Sequence, residues 1–201
     1  QRGAKLMGTL DTHTHADHLS GVEELARRTG AKYYAHTKSK RTHTVQRVHE
    51  HTELTLGETK VQLLPAPGHT PDSVAILVGD HLFTGDALFV GGAGRVDFPG
   101  GSAEELYETF QRFGGLPAHT IVMPGHVYGT AETSTLFEEQ RSNPLYAQKD
   151  RTALVAQLSG QAEPPDNMMA ILRHNMGQVP DSPTVAAKDA EMLKRSRADL
   201  V

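Results

Sequence analysis

The pattern of apolar and polar positions predicts several short strands, most of which end at a glycine or a proline. The predicted strands are residues 5–10, 31–36, 53–56, 59–64, 73–78, 81–84 and 120–123. Gly57-Glu58 and Gly79-Asp80 each separate two of these apolar runs, and a short turn containing glycine is typical of a β-hairpin. We therefore expect the strands to pair mainly as antiparallel hairpins.

Apolar residues at helical spacing predict helices between and after the strands. The predicted helices are residues 18–29, 103–113, 131–141, 150–158 and 186–200. We expect Asp17 to cap the first helix, Gly30 to end it, and Ser102 to cap the second helix. Residues 37–50 predict a loop or an irregular helix, and residues 161–166 predict a proline-rich connector. Helices that cover hairpin sheets indicate a layered α/β domain.

Composition narrows the classes of function. The chain has 201 residues, of which 37% are hydrophobic and 22% charged, as is ordinary for a globular protein. The net charge of −4 and the scattered basic residues predict no nucleic-acid surface, and no apolar run approaches the length of a membrane span. Cysteine is absent, which fits a reducing compartment, so we expect a cytoplasmic protein without a membrane partner. Since Gln1 is not an initiator residue, we expect sequence upstream of it.

The chemistry is concentrated first in residues 12–18, which read Thr-His-Thr-His-Ala-Asp-His. Histidine and carboxylate are common metal ligands near neutral pH. In an extended segment His13 and His15 share a face, and Asp17 and His18 follow them. Two adjacent metal sub-sites are therefore expected, one from the histidine pair and one from Asp17 and His18. The alternative is a polar surface turn that happens to be rich in histidine.

Three more candidate ligands each follow an apolar strand: His69 in Pro-Gly-His-Thr, Asp86 in Phe-Thr-Gly-Asp-Ala, and His126 in Pro-Gly-His. A glycine before each candidate lets the backbone turn sharply and approach closely. For any one of them the alternative is an ordinary capped turn. The remaining histidines of the early chain have no fixed spacing to a carboxylate, so we expect them to be solvated; they are His36, His43, His49 and His51.

These motifs, in this order, resemble the metallo-β-lactamase superfamily, from about Lys5 to Pro144. The resemblance implies an α/β fold, an αββα sandwich with metal at one edge of its two sheets. It also implies that the first strands of the sandwich, which precede Lys5 in the family, are missing. We expect a metallo-β-lactamase-like domain over residues 1–145 and a helical extension over residues 146–201. By position, one metal site would use His13, His15 and His69, the other Asp17, His18 and His126, with Asp86 shared.

Further segments resemble the persulfide dioxygenases of this superfamily: residues 92–98 (Gly-Ala-Gly-Arg-Val-Asp-Phe), residues 125–129, residues 138–144 and residues 165–168. This resemblance implies oxidation of glutathione persulfide by O2 to sulfite and glutathione, with one Fe(2+) per chain. The implied ligands are His13, His69 and Asp86, which form a set of two histidines and one carboxylate. The implied supporting residues are His15, Asp17, His18 and His126.

The resemblance also implies that Arg95 and Tyr128 bind glutathione. Arg95 is a fixed cation that can pair with a carboxylate, and Tyr128 can donate a hydrogen bond. The alternatives are an arginine that stabilises its own loop and a tyrosine that only packs against its neighbours. Ala93 departs from the family, because many of the dioxygenases have cysteine there, and the chain from Met176 onward carries no segment that we can place in this family.

Two other functions remain open from the residues. A hydrolase with two Zn(2+), similar to glyoxalase II, would use the same seven ligands to cleave a thioester or a lactone. A third interpretation is a fragment that keeps the site but exposes an unpaired sheet edge, which invites pairing with another chain. Residues 186–200 could be a dimer element, a linker toward a partner domain or a frayed end, and the first of these would make the protein a homo-oligomer.

Overall fold

The computed structural model describes residues 3–160 and 163–198, and the chain divides into two compact units. Unit 1 combines the chain up to Arg47 with the segment from Glu163 onward, and unit 2 begins at Val48 and lies between them in sequence. The strands are β1 (Gly8–Leu10), β2 (Lys32–His36), β3 (Gln46–Val48), β4 (Glu53–Leu56), β5 (Thr59–Pro65), β6 (Val74–Val78), β7 (His81–Gly85), β8 (Ile121–Pro124) and β9 (Ser134–Thr135). The helices are α1 (Val22–Thr29), α2 (Ala103–Gly114), α3 (Leu136–Ser142), α4 (Arg151–Leu158), α5 (Met168–Met176) and α6 (Pro183–Ala198).

Unit 1 is built on a sheet with the strand order β1-β2-β3. Strands β1 and β2 are parallel, with Gly8 opposite Lys32 and Leu10 opposite Tyr34, and α1 connects them. Parallel neighbours need such a crossover because a tight turn cannot join them. The crossover helix ends at Gly30, whose φ of 70° is left-handed, and this confirms the predicted stop.

Unit 2 is built on a six-stranded sheet with the order β4-β5-β6-β7-β8-β9. Both predicted hairpins are confirmed, since β4 pairs with β5 and β6 with β7 in antiparallel register. Strands β7 and β8 are parallel, with Leu82 opposite Val122. The carboxyl ends of two parallel neighbours lie at the same edge of a sheet. The segments that follow β7 and β8, which begin at Asp86 and at Gly125, therefore leave the sheet side by side.

The core of unit 2 joins this sheet to α2. Leu82 and Val122 are fully buried and belong to the same cluster as Leu106, Phe110 and Phe113 of the helix. These three positions form the apolar side that the sequence pattern predicts for the helix. Its cap is also confirmed, because the Ser102 hydroxyl accepts a hydrogen bond of 3.2 Å from the amide of Glu105.

The predicted starts of three helices are wrong, namely those of α1, α3 and α6. Helix α1 begins at Val22 rather than at residue 18, and Gly21 precedes it, so Asp17 does not cap it. The Asp17 carboxylate instead lies 2.9 Å from Nδ1 of His18. Helix α3 begins at Leu136 rather than at residue 131. Thr135 and Glu138 form a reciprocal capping box there, which sets the first turn of the helix.

The sequence pattern missed three elements, β3, β9 and α5, and misplaced one side chain. His36 is 4% exposed at the end of β2, whereas we expected it to be solvated. The terminal helix is present as α6, which begins at Pro183 rather than at residue 186. Residues 161–162 of the predicted connector and residues 199–200 of the predicted terminal helix lie outside the described residues. The division into residues 1–145 and 146–201 stays a prediction. No helix in the described ranges is long and apolar enough to cross a membrane.

Candidate metal centre

In unit 2, three of the predicted ligands lie together at the sheet edge. The Asp86 carboxylate oxygen Oδ2 lies 3.7 Å from Nε2 of His69 and 3.5 Å from Nε2 of His126. The side chains of His69 and Asp86 are 6% and 10% exposed, and that of His126 is 28% exposed. Each residue lies in the segment that follows a strand of the sheet, and a rigid sheet places such side chains accurately.

The orientation of His69 suits a metal ligand. Its Nδ1 lies 2.7 Å from the backbone carbonyl oxygen of Arg95. A carbonyl oxygen can only accept, so Nδ1 carries the hydrogen and Nε2 of a neutral ring presents its lone pair to Asp86. An acceptor nitrogen that faces a carboxylate is stable when a proton or a metal cation lies between the two groups. A histidine that donates its second nitrogen to a carbonyl is the usual arrangement around a metal. The donor set therefore fits a metal ion.

Two glycines allow the ligands to approach so closely. A Cβ at Gly94 would lie 2.2 Å from the carbonyl oxygen of Asp86 and 3.0 Å from Nδ1 of His69. A Cβ at Gly125 would lie 2.6 Å from Oδ1 of Asp86. Real side chains do not tolerate such distances, so only glycine fits at either position. Gly125 is one of the glycines that precede a candidate ligand in the sequence, whereas the close approach at Gly94 was not predicted.

A buried polar network from α3 holds the loop after Asp86. Asn143 is fully buried, and its Nδ2 donates to the carbonyl oxygens of Phe89 and Gly92 at 3.2 and 3.0 Å. It also donates to the carboxylate of Glu139 at 2.8 Å, and that carboxylate accepts from the amide of Gly91 at 2.9 Å. Residues 138–144, which read Glu-Glu-Gln-Arg-Ser-Asn-Pro, therefore help to hold the loop that follows the candidate ligand Asp86.

Each of the two predicted substrate residues lies beside a candidate ligand in unit 2, Arg95 beside His69 and Tyr128 beside His126. Arg95 donates two hydrogen bonds to Asp97, and its guanidinium carbon lies 4.3 Å from the centre of the Phe98 ring. Tyr128 is 76% exposed, and its ring stacks on that of His126 with centroids 5.7 Å apart. Both alternative interpretations from the sequence, loop stabilisation and packing, thus describe real contacts of these side chains.

In unit 1, the remaining candidate ligands lie in the histidine loop, residues 11–20, between β1 and α1. The rings of His13 and His15 are 4.3 Å apart, and those of His15 and His18 are 4.2 Å apart. One ligand atom from each of His15, Asp17 and His18 lies within 4.8 Å of the other two. Within this group Asp17 is exposed, and His15 and His18 are half-buried. His13 lies outside the group and is buried, at 3% exposure. The sequence analysis placed His15 in one sub-site with His13, whereas the structure groups it with Asp17 and His18.

A buried ion pair supports the start of the histidine loop. The Asp11 carboxylate lies 2.7 Å from Nη2 of Arg41 and 3.4 Å from Nε2 of His15, and it accepts from the hydroxyl of Ser20. Burial alone would raise the pKa of Asp11, but the hydrogen bond with His15 and the charge of Arg41 hold that pKa below its ordinary value. Burial also raises the pKa of Tyr33, whose hydroxyl contacts both Asp11 and Arg41. Asp11 is therefore an anion that fixes the position of His15.

Sequence reasoning missed the polar residues that hold this loop, namely Asp11, Arg41 and Asn175. Asn175 lies on the buried side of α5 with Met168 and Ile171, at helical spacing. A polar residue on an apolar stripe is the signal that could have identified it, because buried polar groups are nearly always hydrogen-bonded.

Comparison with known proteins matches residues 10–126 to the metallo-beta-lactamase superfamily. The crystal structure of ETHE1 from Myxococcus xanthus superposes with a TM-score of 0.80 and 34% identity, over 88% of this chain and 80% of that one. The fold predicted from the motifs is thus confirmed.

The curated relatives include enzymes with different activities. The hydroxyacylglutathione hydrolase of Halorhodospira halophila is 35% identical over 92% of this chain and 73% of its own length. The mitochondrial persulfide dioxygenase ETHE1 of Bos taurus is 32% identical over 71% of this chain and 57% of its own length. The chain spans between 40% and 57% of the length of several curated relatives that it matches. Because the family match covers more than half of the chain, this protein belongs to the metallo-β-lactamase superfamily of metal-dependent enzymes.

Proposed function

We propose that this protein oxidises glutathione persulfide with O2 to sulfite and glutathione at a single non-haem iron. The observation that carries the proposal is the contact between Arg95 and His69. Arg95 belongs to the Gly-Arg-Val-Asp-Phe segment that resembles persulfide dioxygenases, and its carbonyl oxygen fixes the ring of a candidate metal ligand at 2.7 Å. The similarity to ETHE1 in sequence and in structure supports the same activity.

We propose that His13, His69 and Asp86 hold the iron. Iron held by two histidines and one carboxylate would supply the chemistry that oxidises the persulfide with O2. The protein's part is to fix the tautomer and the orientation of the residues that would bind the metal. The carbonyl of Arg95 does so for His69, and Asp86 is held between His69 and His126.

The other four candidate ligands support this set in the proposed enzyme. His126 lies 3.5 Å from Asp86 and can donate to it, which would orient the carboxylate. Asp17 pairs with His18 at 2.9 Å, and His15 pairs with Asp11 at 3.4 Å. An imidazole paired with a carboxylate keeps one orientation, as expected of residues that position a neighbouring metal ligand.

Arg95 and Tyr128 would recognise the glutathione part of the substrate. Glutathione carries carboxylates, and a guanidinium is the cation best suited to pair with them. Asp97 holds the guanidinium in a fixed direction and partly neutralises it, so an arriving carboxylate must share Arg95 with Asp97. The exposed Tyr128 can donate its hydroxyl hydrogen to the peptide.

A zinc hydrolase of a thioester or lactone is the second candidate. The group formed by His15, Asp17 and His18 favours it, because these residues offer three ligand atoms within 4.8 Å of one another and could hold a further ion. A pair of zinc ions supplies a water that is nucleophilic near neutral pH. The similarity to hydroxyacylglutathione hydrolase over 92% of the chain also supports this function. A cytoplasmic location and a homo-oligomer stay predictions for either enzyme.

Metal analysis separates the two candidates. The protein is produced without added metal, and its iron and zinc are measured by plasma mass spectrometry against the chain concentration. The dioxygenase predicts about one iron per chain, as expected for a set of two histidines and one carboxylate. About two zinc per chain would contradict the proposal and support hydrolysis.

A further inference from the structure

The side-chain amide of Asn175, on α5, is bonded to the backbone of the histidine loop at three points. Its Nδ2 donates to the carbonyl oxygens of His15 and His18 at 2.9 and 2.8 Å, and its Oδ1 accepts from the amide of Ser20 at 2.9 Å. The side chain is 3% exposed. A buried amide with all three bonds satisfied holds the peptide groups around it in one arrangement.

The backbone of the same residue extends this connection toward His13. The carbonyl oxygen of Asn175 accepts from Nη1 of Arg41 at 3.1 Å, and Nη2 of Arg41 donates to the carbonyl oxygen of His13 at 3.2 Å. The side chain of Arg41 is 2% exposed and pairs with Asp11, so the guanidinium has little freedom to move. His13, His15 and His18 are thus all bonded, directly or through Arg41, to one residue of α5.

The end of α5 is fixed to the Arg41 segment by further bonds. The carbonyl oxygen of Met176 accepts from the amide of Thr42 at 2.7 Å, and the carbonyl oxygen of Gly177 accepts from the Thr42 hydroxyl at 2.6 Å. These bonds keep Asn175 in register with both segments. They are long-range contacts, because they join parts of the chain that are more than a hundred residues apart in sequence.

We propose that Asn175 is a positioning residue for metal binding, which fixes the backbone of His15 and His18 directly and that of His13 through Arg41. This inference rests on the proposed function in so far as the histidine loop supplies metal ligands. Its consequence is that α5, outside the segment matched to the family, determines the metal affinity of the histidine loop. Asn175 acts through the peptide groups of the loop, to which its side chain is bonded.

The test uses two substitutions and one matched control. Asn175→Ala removes all three bonds, and Asn175→Asp keeps an acceptor for Ser20 but places a carboxylate oxygen against the carbonyl oxygens of His15 and His18. Gln178→Glu makes the same amide-to-carboxylate change at an exposed position three residues away. We expect the affinity of the folded protein for Fe(2+) and for Zn(2+), measured by competition with a chelator, to fall by about 10- to 100-fold in both Asn175 variants and to stay unchanged in the control.

Amide hydrogen exchange of the metal-free protein gives a second readout that needs neither metal nor turnover. The Ser20 amide should be protected in the unsubstituted protein, and residues 13–20 should exchange faster in both Asn175 variants than in Gln178→Glu. An unprotected Ser20 amide in the unsubstituted protein would overturn the inference, and so would Asn175 variants that fold and bind metal with unchanged affinity. A protein that binds iron tightly but does not oxidise persulfide would contradict the proposed function alone.

Discussion

Arg95 and Asp97 are joined by two hydrogen bonds of 2.6 Å, from Nε and Nη2 of the guanidinium to the two oxygens of the carboxylate. Hydrogen bonding to Asp97 raises the pKa of Arg95 above its ordinary value, so the side chain is a permanent cation. Its face lies over Phe98, and its backbone carbonyl holds His69. Arg95 therefore connects the candidate substrate contact with the candidate metal ligand.

We predict that Arg95→Gln raises the KM for glutathione persulfide about tenfold or more and leaves the metal content unchanged. A charge-assisted hydrogen bond contributes about 1.5–3 kcal/mol, and the carbonyl that holds His69 remains in the variant. The comparison is Arg141→Gln, since Arg141 also lies over a phenylalanine ring, that of Phe137, but belongs to α3. Steady-state kinetics with both variants should show the change only at Arg95. An unchanged KM would mean that Arg95 only stabilises its loop.

We predict that Gly94→Ala weakens metal binding at least tenfold, because the added methyl group must displace the Asp86 backbone or the His69 ring. Gly92→Ala is the matched control, since a Cβ at Gly92 meets no atom within 4 Å among the residues that the structure describes. Chelator competition measures the affinities of both variants. Equal affinities would show that the ligands tolerate the displacement and that their spacing does not depend on Gly94.

We predict that Asn143→Ala lowers the free energy of unfolding by about 2–4 kcal/mol, because it leaves the buried Glu139 carboxylate and two loop carbonyls with fewer donors. Denaturant unfolding followed by circular dichroism gives the value. Adding Glu139→Gln should restore part of the loss, since a neutral amide costs less to bury than a carboxylate. A loss below about 0.5 kcal/mol, the usual range for a surface substitution, would show that the network contributes little.

We predict that His69→Ala loses iron and activity together, whereas His126→Ala keeps appreciable iron. His69 is a proposed ligand with its ring fixed by the Arg95 carbonyl, while His126 is proposed to orient Asp86 from a more exposed position. Iron per chain after desalting is the measurement. If His126→Ala abolishes metal binding, the proposed set of His13, His69 and Asp86 is wrong.

Local patterns were enough to predict the hairpins and α2. Gly57, Gly79 and Ser102 each act on the backbone within a few residues, so their signals are readable in a short window. The three unit 2 candidates were predicted because each follows a strand and a glycine. Their protonation and spacing were not, since these depend on the Arg95 carbonyl and on the space at Gly94.

Contacts between distant parts of the chain explain what the sequence did not reveal. The bond from Asn175 to His15 joins residues 160 positions apart, and no local pattern reports such a pair. Asp17 has the composition of a helix cap but pairs with His18, so the helix begins later at Val22. Arg41 is charged and would be expected at the surface, yet Asp11 allows it to be buried.

Oxygen consumption by the iron-loaded protein tests the central proposal most directly. Glutathione persulfide is added to the protein and to His69→Ala in a sealed chamber with an oxygen electrode, and sulfite is measured in the same samples. We predict rapid O2 uptake with one sulfite formed per O2 by the unsubstituted protein, and none above background by the variant. A folded, iron-loaded protein that consumes no O2 with glutathione persulfide would contradict the proposed dioxygenase.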